Sequence, residues 1–102
     1  MAVRSVWKYE LPVQDISSIE VPKGAAPLRF GFQGMTPFVW ALVKPDEEYH
    51  ETRWFRLCGT GHDINVTHDL YYIGTDTLQT SDGVELVFHL FEIAGYEEQV
   101  DG

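Results

Sequence analysis

Cysteine occurs once, at Cys58, so no disulfide can form within the chain. A small secreted domain normally offsets its limited core with several bridges, so a reducing cytoplasm is the expected setting. Charged residues interrupt every apolar stretch well before the roughly 20 apolar residues that a membrane-spanning helix needs. The opening residues, Met1 to Lys8, have neither the charged-then-apolar order of a signal peptide nor the character of a transit peptide. Neither export nor membrane insertion is expected.

Lysine and arginine are absent after Arg56. Residues 57–102 carry nine acids (Asp63, Asp69, Asp76, Asp82, Glu85, Glu92, Glu97, Glu98 and Asp101), whereas the seven acids and seven bases of residues 1–56 cancel. The net charge of −9 therefore belongs wholly to the second half. Phosphate backbones are bound by clustered Lys and Arg, so direct nucleic-acid binding is not expected, and membrane binding is not expected either. Acid excess serves solubility, and it also suits a partner protein with a basic surface.

What is present is core material. Of 102 residues, 44% are hydrophobic and 14% aromatic, enough for one core and too much for a disordered acidic segment. One domain is expected over residues 1–95, with 96–102 as a frayed acidic tail. Helical spacing of apolar residues is missing throughout, whereas short runs rich in Val, Phe, Trp, Tyr and Thr recur between Gly, Pro and Asp. Val6 to Leu11 and Leu28 to Gln33 alternate, the latter aligning Leu28, Phe30 and Phe32. Phe38 to Val43 is apolar on both faces, which predicts a strand buried on two sides. Asp82-Gly83 is a hairpin signal ahead of Glu85 to Glu92. Seven or eight short strands in an antiparallel β-sandwich or small barrel follow, an all-β fold.

The ordered blocks Trp7 to Leu11, Glu20 to Ala25, Val39 to Val43, Phe55 to His62, Tyr72 to Thr75 and Val87 to Phe91 resemble, as a set, a family of small tailed-phage proteins of unknown function. They span nearly the whole chain. The resemblance implies a phage origin and hence the cytoplasm of an infected bacterial cell. It brings no catalytic residues with it.

The candidate ligand loop is Gly59, Thr60, Gly61, His62 and Asp63, which follows a strand and can turn backbone N–H groups toward an anion, with Arg56 and Trp54 beside it. The competing reading is conformational: the two glycines serve a turn that needs positive φ. His62-Asp63 and His68-Asp69 repeat a pair with metal or acid–base character, but their spacing fits no common metal motif, and turn capping is the simpler account. His89, within the apolar Val87 to Phe91, reads as a satisfied half-buried histidine, and Cys58 as a small buried hydrophobe. No metal, cofactor or enzymatic activity is expected. The aromatics outnumber what one small core needs, which predicts an outward aromatic surface, for a homo-oligomer or a ligand. The leading functional expectation is a small cytoplasmic phage accessory protein that binds and occludes a host component. The alternatives are a virion-associated β-sandwich and a protein that sequesters a nucleotide signal with the Gly59 to Asp63 loop.

Overall fold

Alternation of apolar and polar residues, cut by glycine turns, produces the strands. The computed structural model describes residues 3–97, among which there are seven strands: β1 (Ser5–Glu10), β2 (Ile16–Pro22), β3 (Ala26–Gln33), β4 (Thr36–Val43), β5 (His50–Gly59), β6 (Leu70–Gln79) and β7 (Glu85–Ile93). They form two antiparallel sheets, a three-stranded one in the order β1-β4-β3 and a four-stranded one in the order β2-β5-β7-β6. The sheets face each other as a sandwich and do not close into a barrel.

The core lies between the sheets. Phe30 and Val39 from the first sheet meet Phe55, Leu57 and Leu90 from the second, with Leu11 at the β1–β2 connection. Val21, Ala25, Ala41 and Val43 continue it toward the other end. At that end Arg53 on β5 forms a two-pronged pair with Glu92 on β7, one prong being Nη2 to Oε1 at 2.8 Å. Its Nη1 donates to the Ala25 carbonyl at 2.7 Å and to Glu51 at 2.9 Å. The guanidinium thereby ties the four-stranded sheet to the turn that carries the chain into the other sheet. Hydrogen bonding to Glu92 raises the Arg53 pKa above its ordinary value, with Glu51 adding to it.

On one side the sandwich narrows to backbone contact. Gly74 sits against β3 so closely that a Cβ there would lie 3.3 Å from the Phe30 backbone nitrogen. Two positions later, the Asp76 carboxylate accepts the Phe32 N–H at 2.8 Å.

The structure departs from the sequence expectations at two places. Leu28 is not aligned with Phe30 and Phe32, because a bulge between Pro27 and Arg29 turns it out, 52% exposed. In β4 exposure alternates strictly: Pro37, Val39, Ala41 and Val43 are buried, while Phe38, Trp40 and Leu42 on the other face are only half covered. Among the described residues no further layer lies on that face; the Lys8 ammonium and the Arg29 guanidinium stand over the Phe38 and Trp40 rings instead. The expected tail falls largely outside the described residues, but Tyr96 packs edge-on against Trp54, ring centres 5.0 Å apart, and against His68 at 5.5 Å.

Candidate functional site

β5 delivers its inward residues Phe55 and Leu57 to the core and its outward residues Trp54, Arg56 and Cys58 to the outer face of the four-stranded sheet. The chain then turns at Gly59 to Gly61. Gly61 has φ of +88°, a conformation that glycine adopts freely. The Thr60 N–H donates to the Val87 carbonyl at 3.1 Å and the His62 N–H to the Gly59 carbonyl at 3.1 Å, so two of the loop's donors are spent internally. His62 folds back over Gly59, where its ring would lie 3.1 Å from any Cβ.

Past the turn the chain returns across the outer face of β5. Arg56 is 6% exposed beneath it and donates through Nη2 to the Asp63 carbonyl at 3.1 Å, through Nη1 to the Leu57 carbonyl, with the Asp15 carboxylate 3.5 Å away. Cys58, also buried here, has its thiol pKa pushed up by burial.

Two neighbouring depressions share Gly59, His62 and Phe88. The larger, of about 410 Å³, is lined by Gly59, Thr60, His62, Glu85, Leu86, Val87 and Phe88. The smaller, of about 130 Å³, lies on the other side of His62 against Gln14, Asp15 and Cys58. The larger cleft has apolar walls from β7. Glu85 is its carboxylate, and no Lys or Arg lines it.

Of the residues singled out from the sequence, Gly59, Thr60 and His62 meet at this cleft. Gly61 forms the turn apex and Asp63 contributes a carbonyl to Arg56. Arg56 is locked beneath the loop and Trp54 stands away from it, in register with Ile93 and edge-on to Tyr96. His62 and His68 do not converge: His62 covers Gly59 and His68 packs on Tyr96. Among the described residues no three His, Cys, Asp or Glu side chains cluster as a metal site.

Sequence reasoning missed a line of hydrogen bonds beside the cleft. His89 Nε2 pairs with the Thr60 hydroxyl at 2.7 Å, its Nδ1 with the Thr75 hydroxyl at 2.9 Å, and Thr75 with the Tyr72 hydroxyl at 2.6 Å. The β6–β7 register places Thr75 directly opposite His89, a pairing that no local spacing announces. Hydroxyls flank the imidazole on both sides and no carboxylate enters the line, so it lacks the acid–base–nucleophile order of a hydrolase triad. Its evident work is to fix the loop through Thr60 to the sheet.

Fold and site together define a small all-β sandwich domain with a cleft on its four-stranded sheet, lined largely by apolar β7 side chains and by one carboxylate, Glu85. The chain belongs to the family described as a domain of unknown function (DUF7352), whose model matches residues 2–100. No curated protein and no solved structure matches it. No helix among the described residues is long and apolar enough to cross a membrane.

Proposed function

We propose that the domain is a non-enzymatic binding module that takes a basic side chain of a partner protein into the cleft beside Gly59. The observation that carries this reading is the cleft's lining: Leu86, Val87 and Phe88 offer apolar wall, and Glu85 is a carboxylate with no cation beside it. Lys and Arg have the matching form, an aliphatic stem for the wall and a charged head for the rim. Around the cleft the β6–β7 hairpin adds exposed Tyr72 (61%) and Leu86 (42%) and carries acids without bases, the composition of a surface that meets a basic one. The anion alternative draws less support, since Arg56 and two loop N–H groups are already engaged.

In this reading the resemblance to small tailed-phage proteins makes the partner a host component in the cytoplasm of an infected bacterium, occluded by the module.

The test uses the immobilised chain and basic proteins of a bacterial lysate at about 0.15 M salt, where long-range attraction between exposed charges is already screened. A retained basic protein that Glu85→Lys and Leu86→Asp each release, while Arg4→Ala does not, is the expected result. Retention of none, or retention indifferent to both cleft variants, overturns the reading. Calorimetry with a nucleotide panel and mass spectrometry of purified particles address the two alternatives.

A further inference from the structure

The outer face of the three-stranded sheet has the anatomy of an interface. Along its middle strand, β4, run Phe38, Trp40 and Leu42, with the first two rings 6.1 Å apart. The flanking strands surround this stripe with Lys8 and Glu10 from β1 and Arg29 from β3. Lys8 lies 4.5 Å above the Phe38 ring and reaches across β4 to Gln33 at 2.8 Å, while Arg29 stands 5.7 Å from the Trp40 ring. Val6 at the border is 53% exposed. An apolar centre with a polar rim is the usual arrangement of a protein contact.

Charge decides the occupant. A chain of net charge −9 repels copies of itself, and all of that excess lies beyond residue 56. On the β6–β7 hairpin Asp82 and Glu85 are exposed and no base stands beside them in the sequence of the hairpin, so copies meeting there set acid against acid. The strands of the three-stranded sheet carry only Lys8, Glu10 and Arg29. Their sum is +1, so like-charge repulsion across that face is small. Lys8 and Glu10 also stand two positions apart on the same side of an edge strand, so a two-fold axis can set Lys8 of one copy against Glu10 of another, the self-complementarity that a symmetric dimer needs.

We infer that the chain self-associates as a two-fold dimer through this face, Phe38, Trp40 and Leu42 packing against their counterparts. Strands of six, eight and eight residues at about 3.3 Å each, spaced about 4.8 Å apart, give a face of roughly 350 Å² in plan, before side-chain relief is counted. That is the low end of protein interfaces, so the dimer is reversible. The clefts beside Gly59, on the other sheet, remain free in both copies, whether or not they take a basic side chain.

Sedimentation velocity from about 1 µM to about 1 mM, a range that brackets weak association, tests this. The wild-type chain is expected to shift from monomer to dimer. Leu42→Glu and Val6→Glu, each checked for native circular dichroism, should remain monomeric across the range, while Tyr72→Glu on the opposite sheet dimerises as the wild type does. Lys8→Glu should weaken association about tenfold, and Lys8→Glu with Glu10→Lys should restore it. A wild-type chain that stays monomeric throughout, or folded Leu42→Glu and Val6→Glu chains that still dimerise, overturns the inference. A Lys8→Glu loss that the double exchange does not recover overturns the two-fold pairing.

Discussion

The Asp76 side chain takes the place of a missing strand for Phe32: its Oδ2 accepts the Phe32 N–H at 2.8 Å, at the edge of the three-stranded sheet where β3 has no neighbour. An unpaired edge is a template for foreign strands, and a charged residue facing it is one of the ways in which sheets avoid that. Asp76→Ala leaves the half-buried amide without its charged acceptor and is expected to lower unfolding free energy by about 1.5–3 kcal/mol. Asp76→Asn keeps an acceptor of similar reach and should lose less. Urea unfolding of the two variants gives the comparison, and equal losses would count against the bond.

The same side of the sandwich makes Gly74 intolerant of a side chain. A Cβ there would lie 3.3 Å from both the Phe30 backbone nitrogen and the Phe30 Cβ, and backbone does not move aside as a flexible side chain does. Gly74→Val is expected to cost about 1–3 kcal/mol by overpacking. The control is Gly95→Ala, where nothing lies within 4 Å and only the positive φ is strained. Chevron or equilibrium unfolding should rank Gly74→Val well below Gly95→Ala, with β3 and β6 amides losing hydrogen-exchange protection first.

How much of this was legible in the sequence depended on whether the relevant partner was local. The period of two in Val6 to Leu11 gave the faces of β1 correctly, and the opposite orientations of Trp54 and Phe55 follow from the same rule. Gly24, Gly34 and Gly83 announced turns and do adopt positive φ. By contrast, Gly74, Thr75 and Asp76 resemble turn residues, yet they lie inside β6, since the bulge after Tyr72 and the close approach of β3 reward a glycine there. The placement of Asp63 over Arg56, and of Tyr96 on Trp54, depends on which sheet face the returning chain crosses. Composition carries no record of that. At the site, the loop was recognisable from its glycines, but the cleft's wall comes from β7, which only the β5–β7 register brings beside it.

Arg53 joins the four-stranded sheet to the β2–β3 turn at one end of the core. Replacing it with Met keeps the stem and removes the donors to Glu92, Glu51 and the Ala25 carbonyl, so Arg53→Met is expected to destabilise by about 2 kcal/mol. The surviving Glu92 carboxylate is then half-buried without a partner. The double variant Arg53→Met with Glu92→Leu should recover much of the loss, because removing both members of a pair relieves the charge that one deletion strands. Thermal unfolding of the cycle measures the coupling, and strictly additive losses would sink the account.

Cys58 should behave as a core atom. Its thiol is buried on the outer side of β5, against the His89 carbonyl and beside His62 of the loop, and burial raises its pKa, so the reactive thiolate is scarce at neutral pH. Iodoacetamide is expected to label the native chain far more slowly than the urea-unfolded chain, at a rate set by opening of the loop. Thr60→Ala breaks the bond to His89 and should accelerate labelling without a comparable fall in global stability. Equal acceleration of labelling and global unfolding would show that the loop does not open by itself.

The β6–β7 turn contains the acid with the clearest pH signature. The Asp82 carboxyl accepts from the Thr80 hydroxyl, and this bond, with backbone N–H donors of the turn, holds its pKa below the ordinary aspartate value. A group with a lowered folded-state pKa stabilises the fold fully above its unfolded value, about 3.9, and loses that contribution as pH falls through the lower folded-state value. Asp82→Asn and Thr80→Ala should therefore each weaken the hairpin at neutral pH, and the difference from wild type should shrink as pH falls through that window. Amide exchange at Thr80 and Val84 reads the effect locally, where fraying of an exposed turn leaves the global midpoint nearly unmoved. If the Asp82→Asn difference instead persists at pH values below the window, the charged acceptor is not what closes the turn, and Gly83 with its φ of +85° does so alone.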